Sequence, residues 1–217
     1  MWGADHHGYI KRVEAAIEAM GYGKNILDVV LVQIVNLFKD GQPFVMSKRA
    51  GTFITLRDLI DEVGKDAARI FFIMRSSDSQ FDFDLTEAKK QSSDNPAYYI
   101  QYAHARICSI IEKTGISLDK IENFELNLLN EAEEQRLIKK LAEFQEVIEQ
   151  ISKSNEVHKL IKYGQDVAAL LHSFYNKHRV IGEDKEIECA RLKMLLCVRI
   201  VLKNILTIAG VTAPEKM

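Results

Sequence analysis

Proline and glycine are scarce, with 3 Pro and 11 Gly in 217 residues. A chain with so few breaks favours long helices over many turn-linked strands, which excludes an all-β sandwich, a collagen-like repeat and a low-complexity tail. Cysteine is scarce as well. Cys108, Cys189 and Cys197 are far apart or on helical segments, with no CxxC pair and no paired histidine spacing to complete a zinc site, so they are expected as buried thiols. No apolar run approaches the roughly 18 residues of a membrane span, and no basic stretch followed by an apolar one opens the chain, so a cytoplasmic protein with no membrane partner is expected. An excess of one charge is missing too. Lys and Arg number 29 against 31 Asp and Glu, for a net charge of −2, and nothing in that total announces a polyanion or a lipid surface.

What is present is a 47% hydrophobic fraction with 10 Phe and 7 Tyr, enough for packed cores in one large or two smaller domains. The charge is unevenly spread. Residues 1–88 carry 10 basic against 13 acidic side chains, 89–115 carry 4 against 2, 116–157 carry 5 against 10, and 158–217 carry 10 against 6. If a polyanion binds, two basic stretches separated by an acidic block confine its contacts to certain helices rather than to a uniformly basic surface.

The first helix, with apolar Ile10, Val13, Ile17 and Met20, ends at Gly21, and Asp5 reads as its N-cap, with no strand preceding it. A Gly-x-Asp segment at a helix entrance usually follows a strand of an α/β sheet, so the chain is expected to begin inside a domain. The β-branched run 27–38, closed by Asp40-Gly41, reads as one strand with a hairpin return through Phe44-Val45-Met46. Two short helices follow, at roughly 56–63 and 65–76. From residue 85 the apolar period becomes helical, and helices are expected at about 85–114, 127–152, 155–178 and 186–210. The expected architecture is thus a mixed α/β part over 1–88 followed by an all-α helix bundle over 89–217.

Three constellations can carry chemistry. In the loop Met46-Ser47-Lys48-Arg49-Ala50-Gly51, the Ser and Gly permit close backbone approach and the two cations suit a phosphate chain, although no Walker pattern is present. At the helix entrance Gly3-Ala4-Asp5-His6-His7, Gly3 allows a planar ligand near the backbone and Asp5 offers a carboxylate. His6 and His7 point about 100° apart on a helix and chelate poorly together, so no metal is expected. On the first bundle helix Tyr98, Tyr102 and Arg106 recur at i, i+4 and i+8, a stripe that can stack unpaired bases and clamp phosphates. Phe174-Tyr175-Asn176-Lys177-His178-Arg179 forms a similar group.

These residues together resemble the arginyl-tRNA synthetase family. The likeness is carried, in order, by Trp2-Gly3-Ala4-Asp5-His6, Val45 to Thr52, Asp66-Ala67-Ala68-Arg69, Tyr98 to Arg106 and the ending Ala213-Pro214-Glu215-Lys216-Met217, so it covers essentially the whole chain. It implies the second half of a class I Rossmann-type catalytic domain followed by a helical anticodon-binding domain. Met46-Ser47-Lys48 resembles the KMSKS loop, which stabilises the ATP triphosphate as the aminoacyl adenylate forms. Val45 stands where that signature has its first lysine and Arg49 where it has its last serine. Gly3 and Asp5, and less strongly His6, match the segment that lies against the adenosine ribose. The resemblance further implies Tyr99, Tyr102 and Tyr175 as anticodon-contacting aromatics, Arg106 and Arg179 as their partners, Met217 near the anticodon loop, and Tyr98 as a packing residue.

The implied substrates are ATP with Mg²⁺, L-arginine and tRNA-Arg, with no permanently bound cofactor and a monomeric intact enzyme. The class I HIGH signature is absent from these residues, so the chain is expected to be inactive alone. Two other readings exist. An Asp-His-His triplet also occurs in metal-dependent phosphoesterases of the DHH type, for which Asp82 and Asp84 are the nearest acidic pair, and the bundle could serve as a non-catalytic tRNA-binding module.

Overall fold

The computed structural model describes residues 1–44 and 54–217. The basic loop with Met46, Ser47, Lys48, Arg49 and Gly51 lies outside the described residues.

The α/β part opens on β1 (Trp2–Gly3), a strand absent from the sequence expectation, which pairs in parallel with β2 (Leu31–Val32). A 3₁₀ turn over Ala4–Tyr9 then leads into α1 (Ile10–Ala19). Gly3 is the N-cap of the turn and Tyr9 that of α1, neither with a side-chain cap, so Asp5 caps neither. Gly21, with φ +90°, ends the helix where expected. The run 27–38 is not one strand. It divides into β2 and β3 (Val35–Lys39), because Gln33 between them donates its N–H to the Ser77 carbonyl at 2.8 Å and takes the chain from one sheet to another. β3 then turns at Asp40-Gly41, both at positive φ (54° and 72°), into the antiparallel β4 (Gln42–Pro43). Positive φ at both central residues matches the right-handed twist of a tight hairpin.

Helices α2 (Leu56–Val63) and α3 (Lys65–Ile73) cross back to β5 (Phe81–Asp84), which lies parallel to β3 with Leu37 opposite Phe83. Thr55 and Asp58 close a reciprocal capping box at the start of α2. Asp84 ends the strand and caps α4 (Leu85–Ala88) by accepting from the Thr86 and Glu87 N–H groups. Phe83 is fully buried here among Phe71, Phe72 and Phe81.

The expected helix over 85–114 is interrupted after α4 and resumes as α5 (Pro96–Thr114). Asn95-Pro96 causes the restart: Pro occupies the first helical turn, where its missing N–H costs nothing, and the Asn side chain caps the free donors of Ala97 and Tyr98 at 3.0 and 3.3 Å. A one-turn-plus helix, α6 (Leu118–Glu122), follows. The stretch 127–152 begins later than expected and divides at Glu143 into α7 (Ala132–Ala142) and α8 (Phe144–Ser154). α9 (His158–Lys177) and α10 (Lys185–Ile208) agree with their expected extents to within a few residues.

One contiguous core joins α5, α7, α9 and α10, with Ile100, Ile107, Val167, Leu171, Phe174 and Leu202 all fully buried. Gly164 lets α9 approach so closely that a Cβ there would lie 3.1 Å from Ile100 and 3.2 Å from Ile205. Within this core Arg191 donates to Glu134 at 2.7 Å and to the Arg179 carbonyl at 2.6 Å, both side chains being buried. Among the described residues no helix is long and apolar enough to cross a membrane.

Candidate nucleic-acid interface

α5 presents two opposite faces. Ile100, Ala103, Ile107 and Ile111 point into the bundle core, and Tyr98, Tyr102 and Arg106, at four-residue spacing, form the other face. The helix is fixed at its start by the buried Asn95, whose amide also donates to the carbonyls of Ala88 and Lys90 at 3.0 and 2.8 Å.

Tyr98 and Tyr102 are stacked, with ring centroids 5.9 Å apart and planes 10° from parallel. The structure therefore puts Tyr98 in the aromatic stripe itself. Tyr99 turns toward α9, where its ring meets His172 at 5.0 Å, and the same imidazole stacks on Tyr102 at 6.2 Å. Ser93, Tyr98, Tyr99, Tyr102, Arg106, His172 and Asn176 line one open cavity of about 510 Å³. Burial, and after it the Arg106 charge, holds the His172 pKa below its usual range, and burial raises that of the Tyr99 hydroxyl. The walls are thus neutral rings, and Arg106 supplies the cation.

Tyr175 lies under this surface. The Arg106 guanidinium covers its ring at 4.7 Å, and its hydroxyl is buried without a hydrogen-bond partner among the described residues. Burial drives its pKa strongly upward, so the phenol stays neutral. Its ring supports the Arg106 guanidinium from below. Arg179 is exposed beyond α9, and its carbonyl receives Arg191. Lys177 and His178 turn to Glu133, at 2.5 and 3.2 Å, and these bonds, Lys177 first, lower the Glu133 pKa to about 2.

The chain end returns to the same side. Met217 is exposed and lines a second groove with Tyr98, Gln101 and Lys65, so Tyr98 borders both hollows. The return is held at several points. Asp66 on α3 accepts from the Thr212 N–H at 3.0 Å and from the Thr212 hydroxyl, and Gln101 donates to both Asp66 and the Thr212 carbonyl. Arg69 donates to the Ala209 carbonyl at 2.5 Å, and His104 is bonded to the Pro214 carbonyl at 2.9 Å.

In the α/β part, Gly3 sits against the Asp5 carboxylate so closely that a Cβ would lie 2.5 Å from it. Asp5 is 3.5 Å from His6, and both are exposed. Asp82 and Asp84 are engaged elsewhere, with Asn36 and with the Gly41 and Thr86 N–H groups. Among the described residues no three His, Cys, Asp or Glu side chains gather as a metal site.

Sequence reasoning missed His172 and gave Asn176 no separate role. Their i, i+4 spacing on α9 was the available signal, but it does not reveal that α9 turns this face toward Tyr99.

Residues 100–217 match the family model described as the DALR anticodon binding domain. Over its whole length the chain is 54% identical to an arginine–tRNA ligase of Caldanaerobacter subterraneus and 49% identical to one of Desulforamulus reducens, covering 39% of each. It thus spans about two fifths of the length of these curated relatives. Among solved structures it is similar to a Campylobacter jejuni protein described as an arginyl-tRNA synthetase, with a TM-score of 0.91 and 37% identity, covering 100% of this chain and 47% of that one. The Thermus thermophilus arginyl-tRNA synthetase, at 22% identity, shares the fold over 86% of this chain and 35% of its own, with a TM-score of 0.68. The neutral aromatic surface on α5 and α9 is therefore carried by a chain that belongs to the DALR anticodon-binding family, and its full-length alignments are to arginine–tRNA ligases.

Proposed function

We propose that this chain works as part of an arginine–tRNA ligase, contributing the anticodon-binding surface and one ATP-facing loop. The ligase joins arginine and ATP to arginyl-adenylate and then transfers the arginyl group to tRNA-Arg. The observation that carries the reading is the stacked Tyr98–Tyr102 pair ending in Arg106, on the helix of a DALR-family bundle. Unpaired bases stack on such rings whatever their identity, and a guanidinium attracts the phosphates between them. Met217 and Arg179 extend this surface, and Tyr175 supports it from below.

For the α/β part the reading rests on sequence. Lys48, with Met46, Ser47, Arg49 and Gly51, is assigned to the triphosphate of Mg²⁺-bound ATP, where cationic charge stabilises the departing pyrophosphate. Gly3, Asp5 and His6 are assigned to the ribose, and recognition of L-arginine falls mostly to residues beyond this chain. The ligase is taken to act in the cytoplasm as a monomer.

The test is titration of labelled tRNA-Arg with the chain at rising salt, alongside arginine-dependent pyrophosphate exchange. Binding should weaken steeply with salt, because displaced counterions drive it, and should weaken again in Tyr102→Ala and Arg106→Ala. Unchanged affinity in both variants would sink the anticodon reading. Exchange activity by the chain alone would overturn the division of labour.

A further inference from the structure

His172 is placed unlike the other rings of this surface. It is half-buried on α9, meets the rings of both Tyr99 and Tyr102, and lines the same cavity as the stacked Tyr98 and Tyr102. Among the described residues its ring nitrogens have no hydrogen-bond partner, although neither is sealed off like the Tyr175 hydroxyl. Asn176 and Ser93, the other neutral polar groups of the same wall, lie one helical turn along α9 and just before α5.

Stacking alone accepts any base, because every base has a π face. Selection needs a donor or an acceptor at the base edge. Tyr99 and Tyr102 hold the imidazole in place, and beside the Arg106 charge it stays neutral, so it offers one N–H donor and one bare nitrogen acceptor.

We infer that His172 hydrogen-bonds the edge of one unpaired nucleobase lodged in the cavity it lines with Tyr98 and Tyr102, and so contributes to the choice of base. This rests on the anticodon-binding reading above. Tyr98, Tyr102 and Arg106 supply sequence-tolerant affinity, and His172 supplies discrimination, with Asn176 within reach on the same wall.

The test is fluorescence anisotropy of a labelled anticodon stem–loop of tRNA-Arg against the 217-residue chain, with Tyr102→Ala measured in parallel. His172→Phe keeps the stack and removes both nitrogens, and should raise Kd about tenfold. The same substitution should flatten the preference for the native loop over loops carrying single base changes. His172→Gln restores a donor and an acceptor and should recover affinity to within about threefold. Circular dichroism checks each variant for folding, and His172→Leu takes the place of the Phe variant if that one fails to fold. Full affinity and full base preference without the imidazole, while Tyr102→Ala binds weakly, would overturn the role of His172 and leave the surface standing. If Tyr102→Ala also binds normally, the anticodon reading fails and this inference fails with it.

Discussion

The bundle and the α/β part use similar residue types to different effect. In the bundle one continuous core runs through α5, α7, α9 and α10 and encloses the Glu134–Arg191 pair with its hydrogen bonds satisfied. The α/β part has a smaller phenylalanine-rich core between β3, β5 and the helices over them, and α1 buries no side chain completely. Tyr9, Met20, Tyr22, Ile26 and Ile34 stay exposed around it. The stacked tyrosines of α5 thus stand on the larger and more closed of the two cores.

The contrast can be broken most forcefully at Arg191. Arg191→Ala strands the buried Glu134 carboxylate and should cost about 4 kcal/mol in urea unfolding followed by far-UV circular dichroism. A loss below about 1 kcal/mol would mean that the bundle core is less closed than its burial implies. Gly210 tests the seam between the two regions. It holds φ +72°, and a Cβ there would meet the Arg69 guanidinium at 2.6 Å, so Gly210→Ala should cost about 2 kcal/mol and lower Tm.

Acid provides a finer test. The folded Glu133 pKa, near 2, lies below the unfolded value near 4.5 because Lys177 and His178 bind the carboxylate. Its contribution to stability is therefore complete above pH 4.5 and is lost as pH falls toward 2. Glu133→Gln should remove that part of the acid sensitivity in unfolding curves taken across this range. The smallest effect is expected at Ile17 on α1. Ile17→Ala should change stability by no more than about 0.5 kcal/mol, and a loss of 2 kcal/mol or more would place α1 within a real core.

The same contrast governs what could be read from sequence. α9 and α10 were legible because their apolar residues recur at helical spacing over more than five turns. The break before α5 was also written in the chain, as Asn95-Pro96, but the helical period continues through it and hid it. The division between β2 and β3 could not be seen locally, since it depends on a bond from Gln33 to Ser77. Tyr102 and Arg106 were found by their spacing. His172 was not, because its place is set by how α9 packs on α5. Gly3 was visible as a residue that permits close approach, and in the fold the side chain nearest to it is Asp5.

Helix α3 has neighbouring residues in both interiors: Ile70 lies in the bundle core, while Ala68 and Phe71 lie in the core of the α/β part. With Asp66 and Arg69 holding the chain end, one helix serves as a common wall. A cut at residue 89, where the sequence changes character, or at residue 100, where the family match begins, would remove that wall from the bundle and bare the apolar surface behind it. The smallest piece expected to fold and keep the tyrosine surface in place therefore starts before α3, among residues that sequence pattern alone assigns to the other half.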